Sequence, residues 1–149
     1  MRSRSTPEAV EVSRTLPGDV IDFLRGPQHA VIGWVGAGGR PFTVATWYDW
    51  DDGEILVNMD ATRRRLAWLE IGASVSLTVL DAENWYRHVS LYGEITRLTE
   101  DVGLVGIDRL AHRYTGGPFR NRASARVSAW ISVDSWHGWS DAGPWADRP

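Results

Sequence analysis

The chain has 149 residues, of which 43% are hydrophobic, 23% charged and 11% aromatic. This length and composition suit one globular domain and exclude a disordered, collagen-like or disulfide-stapled protein. Cysteine is absent, which excludes disulfides, a thiolate nucleophile and Cys-ligated metal centres. No apolar stretch is long enough for a membrane span, and the first residues lack the apolar core of a signal peptide. We therefore expect a cytoplasmic protein.

The chain is unusual in having arginine as its only basic residue besides histidine and in having many tryptophans. The net charge of −3 argues against a general nucleic-acid binder. All 16 basic residues are arginine, a bias that we attribute first to a GC-rich genome. Nine tryptophans in so short a chain suggest a surface that stacks on an aromatic ligand or partner.

The first half of the chain predicts a polar arm, one helix and three strands. Residues 1–15 carry no sustained hydrophobic period, so we expect a mobile arm. A helix of about two turns should follow and end at Gly26, because four apolar side chains lie on one side before a Gly-Pro pair. Alternating residues between turn signals predict strands over Ala30–Val35, Phe42–Trp50 and Glu54–Met59.

The second half predicts two helices and three strands. A helix is expected over Asp60–Gly72, where Leu66 and Leu69 lie three residues apart. A second helix, capped by Thr99, is expected from Glu100 to Tyr114. The predicted strands are Ser74–Leu80, Trp85 to about Leu98, and Ala125–Val133.

These elements predict a mainly β fold with about six antiparallel strands and three helices. Their even spacing, with no βαβ repeat, favours a small barrel with peripheral helices. We expect the barrel domain to span residues 16–139 and a tail to span residues 140–149.

Three consecutive cations suggest an anion site. Arg63, Arg64 and Arg65 fall in the first turn of the helix predicted from Asp60. A helix N-terminus disfavours cations, so a bound anion such as a phosphate would explain them. The alternative is a solvated face on which the arginines pair with acids such as Asp60 or Glu70. Thr46 and Trp47 should lie nearby, where Trp47 either seats a planar heterocycle or fills the barrel.

Other kinds of site find little support. The four histidines are scattered, so we expect no metal site. The Asp-rich turn that ends at Gly53 lacks the later ligands of a calcium loop. Without lysine, Schiff-base chemistry is excluded, and no residue is assigned as catalytic. An enzyme of this sequence would depend on a cofactor for its chemistry.

The order of these features resembles the pyridoxamine 5'-phosphate oxidase-like family of flavin and deazaflavin reductases. The matching segments run from Phe23–Ile32, through Gly39-Arg40-Pro41 and Thr46-Trp47-Tyr48, to the arginine run and Trp85…Val89…Gly93-Glu94. The resemblance implies a split β-barrel like that of FMN-binding proteins. It also implies a homodimer with cofactor sites between the subunits.

The resemblance further implies which residues bind the cofactor. Arg63 and Arg65 would hold its phosphate, while Trp85, Arg87 and the segment 136–139 would complete the partner's site. Residues expected to line the ring system are Ala45, Thr46, Trp47, Val57, Asn58 and Met59.

Three functions follow as expectations. The favoured one is an oxidoreductase that passes a hydride from reduced deazaflavin coenzyme F-420 to an unsaturated small molecule. An FMN-dependent oxidoreductase, or a non-catalytic flavin, FAD, haem or small-molecule binder of the same fold, is the alternative. An unrelated Trp-rich interaction module is the third.

Overall fold

The computed structural model describes residues 16–145, which are built mainly of antiparallel strands. The expected arm over residues 1–15 lies outside the described part. The described residues contain two α-helices and three short 3-10 turns, at Ala37–Gly39, Arg64–Ala67 and Val102–Leu104. The helices are α1 (Gly18–Arg25) and α2 (Val105–Thr115). The strands are β1 (His29–Val35), β2 (Pro41–Thr46), β3 (Asp49–Asp51), β4 (Glu54–Asp60), β5 (Ser74–Leu80), β6 (His88–Glu100), β7 (Arg126–Ser140) and β8 (Gly143–Pro144).

The strands form one sheet whose two edges are neighbours in the chain. The order is β2-β1-β5-β6-β7-β4-β3, with β8 paired to β7. The edge strands β2 and β3 are separated by only Trp47 and Tyr48. Such a link spans about 10 Å, so the sheet must curl until its two edges meet. The mainly β, antiparallel expectation is confirmed, with the barrel split between β2 and β3.

The corner between these edges interrupts the strand expected over Phe42–Trp50. The chain leaves the sheet after Thr46, and Tyr48 is fully buried. The Tyr48 hydroxyl donates to the carbonyl oxygen of Leu24 at 2.8 Å, which ties the corner to α1. Because the Tyr48 side chain is buried at this corner, the chain cannot continue as one extended strand from Phe42 to Trp50.

Two packed clusters set the position of α2. The main core lies inside the barrel and is closed at one end by Phe23 and Leu24 of α1. A smaller cluster lies on the outer face of β4, where Leu56 packs against Ile107 and Leu110 of α2. This second cluster places α2 beside the split.

The helix expected over Asp60–Gly72 is wrong; only a 3-10 turn at Arg64–Ala67 forms. The Asp60 carboxylate accepts hydrogen bonds from the N–H and hydroxyl of Thr62, at 2.8 and 2.6 Å, and so closes a local turn. The Gly72 N–H then donates to the carbonyl oxygen of Ile95 at 2.7 Å, which draws the chain into the sheet. These two anchors fix both ends of the segment, and only its middle forms the 3-10 turn.

Several other boundaries also differ from the prediction. Thr99 does not cap a helix, because it pairs with Ser128 in an extended β6. α2 begins at Val105, and Asp101 accepts hydrogen bonds from its first N–H groups. β6 begins at His88 instead of Trp85, and β7 continues to Ser140.

Candidate functional site

A cleft of about 680 Å³ opens at the split of the barrel. One wall is formed by the outer face of β1 and β2, where Val31 and Ala45 lie opposite each other in the ladder. The opposite wall is formed by α2, through Ile107 and Leu110, and by Asn58 of β4. The cleft therefore lies where the two edges of the sheet approach each other.

Aromatic rings line the middle of the cleft. The rings of Trp47 and Tyr114 stack at 5.4 Å with an interplanar angle of 7°. Phe119 meets Trp47 edge-on at 6.1 Å and 87°. The Tyr114 hydroxyl donates to the carbonyl oxygen of Gln28 at 2.6 Å, and burial raises the pKa of Tyr114. This phenol therefore stays neutral at physiological pH and holds α2 against the start of β1.

Two arginines line the same cleft. Burial lowers the pKa of Arg65, and the nearby cations Arg63 and Arg126 lower it further. Within residues 16–145, no carboxylate oxygen lies within 4 Å of the Arg65 guanidinium. The guanidinium remains charged because its ordinary pKa is far above neutrality. A half-buried cation beside like charges, with no acid in contact, favours an anionic ligand.

Arg126 is held more firmly than Arg65. Its Nε donates to Oδ1 of Asn58 at 2.7 Å, and its guanidinium lies 4.7 Å from the centre of the Phe119 ring. Burial lowers the pKa of Arg126, while the more distant carboxylates of Asp60 and Asp101 partly oppose this effect. The cleft thus combines one fixed and one less constrained guanidinium.

The structure places eight of the ten sequence-predicted residues in three groups. Arg63 is exposed just outside the cleft, close enough to affect the pKa of Arg65. Val57 and Met59 are 1% and 2% exposed and pack in the barrel core. Ala45, Thr46, Trp47, Asn58 and Arg65 line the cleft together.

Trp85 and Arg87 do not line this cleft. Trp85 lies in the turn before β6 and is 70% exposed. The Arg87 guanidinium pairs with Asp81 at 3.2 Å and lies over the rings of Phe23 and Trp145. Within its own chain, Arg87 therefore closes the end of the core.

Sequence reasoning missed nine of the residues that line the cleft, and the aromatic and charged ones among them include Tyr114, Phe119 and Arg126. Arg126 does carry a signal, because it begins one of the two alternating sets of side chains in the sequence over Ala125–Val133. Its pairing with Asp60 of β4 decides that this face turns toward the cleft. That register depends on contacts between distant segments, which alternation alone does not reveal.

The structure is similar to several solved proteins. An F-420 reductase aligns with a TM-score of 0.69 and 22% identity, covering 77% of this chain and 93% of its own. A protein from Clostridium acetobutylicum that is related to general stress protein 26, of the pyridoxinephosphate oxidase family, aligns with a TM-score of 0.63 and 13% identity. The alignment covers 89% of this chain and 92% of that protein. An FAD and haem binding protein from Mycobacterium smegmatis aligns with a TM-score of 0.60 and 18% identity, covering 82% of this chain and 70% of its own.

The fold is a split β-barrel. It is shared with these structures at low sequence identity, so the expected fold class is confirmed and the resemblance holds at the level of fold. No protein-family model and no curated protein matches the chain. Among residues 16–145, neither α-helix has the length and apolar character needed to cross a membrane.

Proposed function

We propose that the cleft binds the phosphate and ring system of a flavin-type cofactor and that the protein is an oxidoreductase. One observation carries the proposal: Arg65 and Arg126 line one aromatic cleft, and no carboxylate among the described residues 16–145 contacts Arg65. A phosphate placed between them would accept charge-assisted hydrogen bonds from both guanidinium groups. Arg63, whose charge already acts on Arg65, would add to the positive potential.

The dimensions and lining of the cleft fit such a group. Its volume of about 680 Å³ lies within the range of small-molecule and cofactor pockets. Trp47 and the apolar residues Val31 and Ala45 offer a surface on which a planar ring can pack. The cleft therefore offers arginines for the phosphate of a phosphorylated flavin and an aromatic and apolar surface for its ring system.

The chain itself would bind and orient the cofactor. When bound, a flavin or deazaflavin supplies hydride transfer to or from an unsaturated small molecule. Arg65 and Arg126 would fix the phosphate, and Trp47 would limit the position of the ring and keep water from one face.

F-420 is the favoured cofactor and FMN the alternative. The arginine-only composition indicates a GC-rich genome, as found in actinobacteria that use F-420, and an F-420 reductase is among the similar structures. A second candidate function, a non-catalytic carrier of a flavin or haem, is favoured by the similarity to the FAD and haem binding protein.

We also propose a homodimer in which a partner subunit completes each cleft. Trp85, Tyr86 and Trp139 are 70%, 69% and 47% exposed. They lie at one end of the sheet, because Trp139 pairs with His88 and Asn84 donates to the carboxylate of Asp141 at 3.0 Å. Exposed aromatic clusters of this kind are typical of protein interfaces.

Titration of the purified protein with F-420, FMN and riboflavin tests the proposed function. Riboflavin has the ring system of FMN without its phosphate, so it separates ring binding from phosphate binding. We expect F-420 or FMN to bind more tightly than riboflavin, as read by cofactor fluorescence. Binding of none of the three would contradict the proposal.

A screen of enone, quinone and tetrapyrrole acceptors distinguishes the enzyme from the carrier. Oxidation of the bound reduced cofactor by any acceptor, faster than in free solution, supports an oxidoreductase. Tight binding without turnover of any acceptor favours the carrier.

A further inference from the structure

Arg126 is held by a chain of hydrogen bonds that begins at the N-terminus of α2. Its Nε donates to Oδ1 of Asn58, at 2.7 Å. The Asn58 Nδ2 in turn donates to Oδ2 of Asp101 at 3.0 Å and to Oγ of Ser128 at 2.9 Å. Asn58 is only 7% exposed, so its polar atoms depend on these three partners.

Asp101 decides which way the Asn58 amide faces. An ionised carboxylate only accepts hydrogen bonds, so the amide nitrogen of Asn58 must face Asp101. The amide oxygen is thereby turned toward Nε of Arg126. The reversed amide would place its oxygen against the carboxylate and its NH2 group against the Arg126 N–H.

Asp101 is itself fixed by the backbone. Its two carboxylate oxygens accept hydrogen bonds from the N–H groups of Gly106 at 2.7 Å and Ile107 at 2.9 Å. A Cβ at position 106 would lie 2.3 Å from Oγ of Ser128 and 3.2 Å from Nδ2 of Asn58. Glycine at this position therefore allows α2 to approach the chain of hydrogen bonds closely.

We propose that Asp101 and Asn58 are positioning residues that orient Arg126 in the cleft; their effect on ligand binding rests on the proposed function. With Nε bonded and the guanidinium over Phe119, its two terminal nitrogens have no hydrogen-bond partner within residues 16–145. These nitrogens are left for an anion. A guanidinium that is already ordered loses less conformational freedom when it binds.

NMR of the arginine Nε–H groups tests the orientation without any ligand. In Asp101→Asn, the amide of Asn58 can reverse, so the Arg126 Nε–H signal should shift toward that of exposed arginines and exchange faster with water. Asn58→Leu, which has a similar shape without the amide, should have the same effect and serves if Asp101→Asn does not fold. An unchanged Arg126 signal in a folded variant would overturn the proposal.

Asp49→Asn is the matched control. Asp49 is also a carboxylate that anchors α2, because it accepts a hydrogen bond from Nε of Arg109 at 2.7 Å. This control should change the Nε–H signal of Arg109 and leave that of Arg126 unchanged. If both variants alter both arginines equally, Asp101 has only a structural role and the proposal fails.

Ligand binding tests the consequence. We expect Asp101→Asn to weaken FMN binding about tenfold, the effect of one charge-assisted hydrogen bond, with riboflavin binding unchanged. In an Arg126→Ala background, the same substitution should have no further effect on FMN. An equal loss in that background would show that Asp101 does not act through Arg126.

The two measurements separate the two claims. If the wild-type protein binds neither FMN nor F-420 but Asp101→Asn releases the Arg126 Nε–H, the proposed function fails and the positioning role stands. If FMN binds but the Arg126 signal never responds, the function stands and the positioning role is overturned.

Discussion

Asp108 connects the exposed side of α2 to the aromatic wall of the cleft. Its carboxylate pairs with Arg122 and accepts a hydrogen bond from the N–H of Phe119 at 3.0 Å. These two donors, Arg122 first, hold the pKa of Asp108 below its ordinary value. A carboxylate whose pKa is lower in the folded state stabilises the fold above its unfolded pKa and loses that contribution as the pH falls.

We therefore expect Asp108→Asn to reduce the acid sensitivity of the protein. The variant should be less stable than the wild type at neutral pH, because the ionised carboxylate is lost. The difference should shrink as the pH falls below about 4, where the wild-type carboxyl becomes protonated. Urea unfolding between pH 2 and 7 measures this, and a difference independent of pH would contradict it.

At the scale of single residues, the sequence predicted only one of the two arginines that line the cleft. Arg65 was predicted and lines the cleft, while the adjacent Arg63 is exposed beside it. Arg126 was missed because it lies 61 positions along the chain from Arg65. Only the pairing of β4 with β7 brings the two together.

At the scale of elements, Arg113 joins α2 to the end of α1. Its Nε donates to the carbonyl oxygen of Tyr48 at 2.8 Å, and its Nη2 donates to that of Leu24 at 3.0 Å. The same guanidinium also donates to the carbonyl oxygens of Arg25 and Gly26. It therefore satisfies the last carbonyls of α1, which lack partners within their own helix.

Arg113→Ala should lower the free energy of unfolding by about 2–4 kcal/mol, since several half-buried carbonyls lose a charged donor. Arg113→Lys should recover only part of the loss, because one ammonium cannot reach carbonyls on both sides. Chemical denaturation of the three proteins measures the difference. Equal stability of the alanine variant and the wild type would show that these bonds contribute nothing.

Strands were easier to predict than helices for a physical reason. The alternation in β5 reflects one buried face, where Val75, Leu77 and Val79 are at most 5% exposed. The segment Asp60–Gly72 has two leucines at helical spacing, but Trp68 and Ile71 remain exposed. The backbone hydrogen bond from Gly72 to Ile95 draws the end of this segment into the sheet, and no local sequence pattern predicts that contact.

At the scale of the whole molecule, the closure of the barrel was expected from the even spacing of the predicted strands and from the family resemblance. The position of the split could not be predicted, because it depends on the burial of Tyr48 and on the break after Thr46. The cleft occupies that split, so its full lining also required the structure.

The proposed dimer makes a prediction at the same scale. Light scattering coupled to size-exclusion chromatography should give twice the chain mass of 16.7 kDa. Trp85→Glu should shift the protein toward the monomer, because it places a charge in the exposed aromatic cluster. Trp68→Glu, at an exposed tryptophan of another turn, is the control. A wild-type monomer at high concentration would contradict the dimer.

The most direct measurement compares FMN, F-420 and riboflavin binding in Arg65→Ala and Arg126→Ala. Each substitution should weaken binding of the phosphorylated cofactor by roughly 10- to 100-fold, as expected for a charged hydrogen bond, and leave riboflavin unchanged. Arg40→Ala, at an exposed arginine outside the cleft, should change nothing. Unchanged FMN and F-420 affinities in both cleft variants would contradict the account.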